Sequence, residues 1–249
     1  MARLTISLSL PRTASVALLR SVDFGGQYDV LLHEPTVRPY DRINFPEFEQ
    51  EHFIKSWTTY EQITEFVLSQ LAGNKRVFIK DMVFSAKAWV PELIKQVRCP
   101  VQVLLWIREP GAQLQSFMSK AHSAPVDTFY QTCRLQDLLD LYTMLAPKIP
   151  TFICDHSRMN YEYMQRLGLL LGLPGPLGSE FWVPCTNLDR YYEGKKPEAV
   201  RHWHGDAMAS SGFGAKSTGL KIRQLHHRVE QLIVENMTVY NKLLLISIK

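Results

Sequence analysis

Short runs of Val, Ile, Leu and Phe alternate with helix-period patterns over the first two-thirds of the chain. Leu4, Ile6, Leu8 and Leu10 alternate with polar residues as a first strand, and residues 29–33, 76–80, 101–107 and 150–154 supply four more. Such short, branched and nearly continuous apolar runs fit strands that are covered on both faces. Helical patterns fill the gaps. Residues 15–24 follow the first strand, and residues 58–72 open on a capping box of Thr58 with Glu61 and close at Gly73. Residues 85–97 place Trp89, Leu93, Ile94 and Val97 on one face. Residues 110–122 begin with Pro110, where a missing N–H costs nothing. Residues 127–145 and 157–171 complete the set, the latter closed by Gly172 and Pro174. This alternation predicts an α/β fold: a three-layer sandwich with a central parallel sheet of about five strands flanked by helices.

Beyond Pro174 the periodicity weakens while Gly, Pro and aromatic residues rise. Residues 174–211 read as a long loop with one short helix near 197–207. A final amphipathic helix spans 219–247, with Ile222, Leu225, Val229, Leu232, Ile233, Tyr240, Leu243 and Leu244 as its apolar positions. No linker divides the chain, so residues 1–249 are read as one domain.

Charge and cysteine usage narrow the class. The chain carries 28 Lys and Arg against 24 Asp and Glu. Six basic and two acidic residues lie from Lys216 onward, so the remainder is near neutral. That balance argues against nucleic acid as a partner. The longest apolar run is far below the about 20 residues of a membrane span, so no membrane insertion is expected. The N-terminus is too hydroxyl-rich for a secretory leader. Cys99, Cys133, Cys154 and Cys185 show neither metal-ligand nor disulfide-framework spacing, and the expectation is reduced thiols in a cytoplasmic protein.

Ligands of an open α/β sheet bind beyond the carboxyl ends of its strands, so those loops carry the candidate chemistry. After the first strand, Pro11-Arg12-Thr13-Ala14-Ser15 turns directly into a helix. Its backbone amides, the helix dipole, Arg12 and two hydroxyls suit a phosphate or sulfate; an ordinary capped turn is the alternative. After the fourth strand, Arg108-Glu109-Pro110 is followed eight residues past the arginine by Ser116. The arginine there can grip a phosphate with two parallel bonds, or be a surface residue beside a Glu-Pro cap. His33-Glu34-Pro35 and Lys80-Asp81-Met82 place further charges at the same edge, as catalytic groups or as a salt bridge and a turn.

Taken in order, these loops resemble the sulfotransferase family of P-loop-like proteins, which use 3′-phosphoadenosine 5′-phosphosulfate. The likeness rests on Pro11 to Ser15, His33 to Pro35, Phe78-Ile79-Lys80-Asp81-Met82 and, above all, Arg108 with Ser116. Leu170-Leu171-Gly172-Leu173-Pro174, Trp203-His204 and Ser211-Gly212-Phe213 add to it, and it covers roughly residues 3–215. It implies a fold like that of P-loop-containing nucleoside triphosphate hydrolases. Arg12, Thr13, Ala14 and Ser15 would hold the 5′-phosphosulfate, and Arg108 and Ser116 the 3′-phosphate. Lys80 would stabilise charge at the bridging oxygen, and Lys216 would lie over the adenosine. The sulfuryl group would pass in line to a hydroxyl or amine of a small-molecule or glycan acceptor, without a metal. The chain departs from the family pattern at Ala14, where glycine is frequent, at Val16, where threonine is usual, and at Met82, where many members have a catalytic histidine. The base is therefore sought among Glu34, Asp81 and His33. His204 and Trp182, with Tyr191 and Tyr192, are candidates for the acceptor pocket.

Two alternatives stand beside this reading: a catalytically inactive relative that binds a nucleotide or a partner, and another P-loop enzyme such as a small-molecule kinase. Gly212 to Thr218 resembles a Walker A loop, but Ala215 stands where that loop needs glycine, immediately before the lysine. Asp81 is the acidic residue that could serve a kinase as magnesium ligand.

Overall fold

The computed structural model describes residues 1–13, 15–44, 57–118, 126–181 and 227–248. Five parallel strands form one sheet: β1 (Arg3–Ser9), β2 (Val30–His33), β3 (Arg76–Met82), β4 (Val101–Ile107) and β5 (Thr151–Asp155), in the order β2-β3-β1-β4-β5. In the interleaved helices, α1 is Ser15–Gly25, α2 Val37–Asn44, α3 Tyr60–Ala72, α4 Val83–Ala86, α5 Trp89–Gln96, α6 Pro110–Met118, α7 Val126–Thr132, α8 Gln136–Leu145, α9 Tyr161–Leu170 and α10 His227–Leu245.

Side-chain alternation along the strands builds two cores. On one face, Leu4, Ile6, Leu8, Ile79, Val103 and Leu105 pack under α3, α4, α5, α8 and α10. On the other, Phe78, Leu104 and Trp106 pack under α1 and α9. Each fully buried aliphatic or aromatic side chain contributes about 1.5–3 kcal/mol, so both helix layers are held by the sheet between them. This is the expected three-layer α/β sandwich. The order places β1 centrally, with its carboxyl end flanked by those of β3 and β4, and β2 and β5 lying beyond them.

Several helix boundaries differ from the sequence reading. The capping box of α3 is Thr59 with Gln62, one residue later than Thr58 with Glu61; Gly73 does close that helix. The single helix expected over 85–97 is two, α4 and α5, and the one over 127–145 is α7 and α8. At the second break the buried Asn236 of α10 accepts from Leu135 N (2.9 Å) and donates to the Cys133 carbonyl (2.8 Å). A side chain about a hundred residues away thus satisfies the backbone groups that a continuous helix would have paired. Residues 157–171 begin as a 3₁₀ turn, His156–Arg158, and α9 starts only after Asn160, whose side chain caps it. Gly172 follows α9 at φ +62°, the left-handed position expected of a closing glycine. The helix α2 lies in a stretch read as loop. The short helix near 197–207 and the first turns expected of the last helix fall outside the described residues. Cys99, Cys133 and Cys154 are free thiols, as expected; Cys185 lies outside the described residues. No described helix is long and apolar enough to cross a membrane.

Candidate functional site

The carboxyl ends of the strands bring the chemistry-bearing residues to one edge, in two corners. The first corner joins β1 to β4. Just past β1, Arg12 adopts a left-handed backbone (φ +66°), a conformation costing a residue with a Cβ roughly 1–2 kcal/mol. Three contacts hold this turn. The Arg12 carbonyl accepts from Arg108 Nη1 (2.7 Å), Arg12 Nε donates to Ser116 Oγ (3.3 Å), and the Pro11 carbonyl accepts from Gln113 Nε2 (2.6 Å). Residues 96 and 104 positions apart in sequence therefore meet at one point. Thr13 is buried beside them.

Arg108 keeps most of its donors available for a ligand. Glu109, its acidic neighbour, turns both carboxylate oxygens to the first amides of α6, Gly111 N (2.9 Å) and Ala112 N (2.6 Å). The Glu-Pro capping role is thus filled by Glu109, and it leaves Arg108 free of that carboxylate. Burial first, and then the nearby Arg12 charge, push the Arg108 guanidinium pKa down, so a negative charge here would relieve both.

The second corner joins β2 to β3. His33 and Lys80 sit opposite each other in register. Lys80 Nζ lies 2.9 Å from Glu34 Oε1, and His33 Nε2 lies 3.3 Å from the same oxygen. All three residues are buried. Lys80 Nζ also lies 3.7 Å from Met82 Sδ. Glu34 is the second site residue with a left-handed backbone (φ +51°), and its amide donates to the Lys80 carbonyl (2.6 Å). Strained non-glycine backbone thus recurs beyond two strands, β1 and β2, at the same carboxyl edge of the sheet.

Asp81 does not join this group. Strand alternation sends it to the face opposite Lys80, where it accepts from Thr36 N (3.1 Å) and Met82 N (2.8 Å). It ties the β2–α2 turn to β3. Burial drives its carboxyl pKa up to about 7.

Between the corners, on the α1 side of the sheet, Ser7 Oγ, Ser9 Oγ and Trp106 Nε1 are buried without a hydrogen-bond partner. Ser7 is in register with Lys80, and Ser9 with Trp106. Orphaned polar groups of this kind cost about 1–3 kcal/mol each unless something pairs with them. These hydroxyls and the indole N–H share the sheet edge with Lys80 and Arg108, and their chemistry fits a phosphate- or sulfate-bearing donor; the acceptors Gln113 Oε1 and His33 Nδ1 are also buried there without a hydrogen-bond partner.

The described structure therefore brings Arg12, Thr13, Arg108 and Ser116 together in one corner and His33, Glu34 and Lys80 in the other, and it separates Asp81 from both. Ala14, Trp182, Tyr191, Tyr192, His204 and Lys216, with the Trp203-His204 and Gly212 to Thr218 stretches, lie outside the described residues; so does the side chain of Ser15. One residue at this edge escaped the sequence reading. His156 follows the end of β5, and the pairing of Ile107 with Asp155 sets it beside Arg108. A lone histidine in a polar turn has no spacing signal; only the strand register reveals it.

No protein-family model matches the chain, and no curated protein matches it. Among solved structures it is similar to an unliganded sugar kinase from Janibacter sp. HTCC2649, at 14% identity over 72% of this chain and 99% of that one, with a TM-score of 0.48. It is also similar to a gluconokinase from Sinorhizobium meliloti 1021, at 10% identity over 68% and 90%, TM-score 0.45. A third is a sulfotransferase domain from the curacin biosynthetic pathway, at 13% identity over 94% and 97%, TM-score 0.49. Two kinases and a sulfotransferase domain at this level of similarity do not choose a chemistry for this chain.

Proposed function

We propose that the chain is a transferase that takes its group from a phosphorylated nucleotide, and specifically a sulfotransferase using 3′-phosphoadenosine 5′-phosphosulfate. The observation that carries the reading is the meeting of Arg12, Arg108 and Ser116 at the ends of β1 and β4. The donor supplies an activated sulfuryl group when bound. Arg108 and Ser116 hold its 3′-phosphate, and the 11–15 turn with the first amides of α1 holds its 5′ end. Lys80 stands ready to neutralise charge on the departing oxygen.

Glu34 is the base in this reading. In the structure its carboxylate is paired with Lys80. When Lys80 turns to the donor, the Glu34 carboxylate is released from that pair and accepts the proton of an acceptor hydroxyl or amine. His33 Nε2 stays 3.3 Å from the carboxylate oxygen through this exchange. Met82, where a histidine base stands in many sulfotransferases, is then no obstacle to activity.

A magnesium-ATP kinase needs an acidic metal ligand. Asp81, the residue that the sequence offers, has both oxygens on backbone amides. Calorimetric titration with adenosine 3′,5′-bisphosphate, with ATP and magnesium as control, tests the reading. Micromolar binding of the bisphosphate alone is expected. Preference for magnesium-ATP would replace sulfuryl with phosphoryl transfer. Binding without transfer to any hydroxyl or amine acceptor would leave an inactive nucleotide-binding relative.

A further inference from the structure

Resting on that reading of the site, we propose that His156 shares the phosphate of the Arg108 corner, taking up one proton as the anion arrives and donating to it as an imidazolium. The argument starts from position. Ile107 and Asp155 are paired across β4 and β5, so the next residues, Arg108 and His156, leave the sheet side by side at its carboxyl edge. His156 is half-buried there, and among the described residues its imidazole has no hydrogen-bond partner. Arg108, partly buried, uses one N–H on the Arg12 carbonyl. A cation and a neutral ring, both with donor capacity left over, thus leave the sheet side by side at one edge.

The charges around the imidazole decide its state. From β4 come Arg108 and Glu109; Glu109 is committed to the α6 amides. From its own turn come Asp155 and Arg158, which pair at 3.6 Å. Asp155 also receives Ser157 N (2.9 Å) and Ser157 Oγ (2.7 Å) on its two oxygens. From α9, Tyr163 OH accepts from the Asp155 amide (3.2 Å), and from α10, Tyr240 faces Asp155, Glu109 and Arg158. The local carboxylates are thus occupied, and at the His156 ring the charge of Arg108 outweighs the opposing charge of Asp155. Burial, and then Arg108, push the imidazole pKa down to about 4, so the ring is neutral at pH 7.

A doubly charged oxyanion against Arg108 reverses the field at the ring. The factor that kept the proton off then holds it on, and an N–H⁺ to O⁻ bond forms. The proton comes from solvent, so binding and proton uptake are linked. A phosphate ester carries its own second ionisation near pH 6. Inorganic sulfate is a dianion throughout the working range and isolates the contribution of the protein.

The test is calorimetry of full-length protein with adenosine 3′,5′-bisphosphate at pH 7 in buffers of different ionisation heat, and of sulfate competition between pH 6 and 8. Expected is uptake approaching one proton per bisphosphate, with sulfate affinity falling up to about tenfold per pH unit. In His156→Gln the uptake and the pH slope disappear while the bisphosphate still binds, and His156→Asn behaves alike. Equal proton uptake in wild type and both variants, or none in wild type, overturns the proposal. Should both variants fail to fold, the ring protons of the wild type decide it by NMR: a histidine signal that moves to imidazolium shifts on adding the bisphosphate at pH 7 supports the proposal, and no such movement overturns it. Failure of wild type to bind the bisphosphate overturns the donor assignment as well, whereas pH-independent binding overturns the role of His156 alone.

Discussion

The two corners of the site solve opposite electrostatic problems. At the β2–β3 corner the charges are balanced within the protein: the Lys80 ammonium lies on the Glu34 carboxylate, with His33 on the same oxygen, and water is excluded from all three. At the β1–β4 corner the described contacts of Arg12 and Arg108 are to a hydroxyl and a carbonyl, and the nearest acid is diverted to a helix terminus. A corner that carries its own counter-ion is prepared for proton and charge movement. On the proposed reading, a corner where Arg108 rests on a backbone carbonyl, with its acidic neighbour turned away, is prepared for an anion from outside. On that reading, the difference separates catalysis from binding along a single sheet edge.

The largest effect that would break this comparison is at the balanced corner. Glu34→Ala leaves the Lys80 ammonium buried without its carboxylate, which should cost about 3–5 kcal/mol of folding stability. Urea denaturation measures it. Adding Lys80→Met to Glu34→Ala should recover most of the loss, because the ammonium is then no longer left behind. If the double variant is as unstable as the single one, the corner is not organised around that pair.

At the other corner, Arg108→Ala should leave stability little changed and weaken adenosine 3′,5′-bisphosphate by about 2–5 kcal/mol, roughly 30-fold to several-thousand-fold. Unchanged affinity would remove Arg108 from the site. Ser116→Ala should cost less, about 0.5–1.5 kcal/mol of binding, the net value of one hydrogen bond. It should also loosen the turn at residues 11–13 through the lost Arg12 contact. Amide hydrogen exchange in that turn reads the second effect directly, and unchanged protection would show that Arg108 and Gln113 suffice to hold it.

How much of this was legible in the sequence follows from where the information lies. The strand β4 was readable to the residue, because burial on both faces forces an uninterrupted apolar run. The spacing of Arg108 and Ser116 was readable because strand end and helix face fix it locally. The break between α7 and α8 was not, since no glycine or proline marks Cys133 to Leu135 and the side chain that pairs with its backbone is Asn236. The capping box slipped by one because Thr58 with Glu61 and Thr59 with Gln62 both satisfy the pattern, and only backbone geometry chooses. The helix α2 carries Pro39 and several charges, and reads as loop until the proline is seen to lie in its first turn, where it is tolerated. Separating Asp81 from Lys80 needed only strand alternation, a period-of-two argument available from the sequence. His156 needed the register between β4 and β5, which no local pattern encodes.

Two shielded titratable groups give the finest test: half-buried His156 beside Arg108, and Asp81 buried on the face of β3 opposite Lys80. His156 has its pKa lowered from 6.5 to about 4 by burial and Arg108. In the unfolded chain it gains a proton near pH 6.5 that the folded chain refuses until about pH 4. Its contribution to stability is therefore present above pH 6.5 and is lost as pH falls toward 4. Asp81 has the opposite sign. Burial raises its pKa from 3.8 to about 7, so its contribution is present below pH 3.8 and is lost as pH rises through 7. Between about pH 4 and 6.5 the folded chain holds a proton on Asp81 and none on His156, and the unfolded chain the reverse. The two slopes, each at most about 1.4 kcal/mol per pH unit, cancel in the wild type. Single substitutions unmask them. Urea midpoints of His156→Gln should fall, relative to wild type, as pH rises from 4.5 to 6.5, and those of Asp81→Asn should fall as pH drops over the same range. Two variant profiles that run parallel to the wild type would mean that neither group changes its proton affinity on folding, and the electrostatic asymmetry drawn between the corners would lose its support from pH.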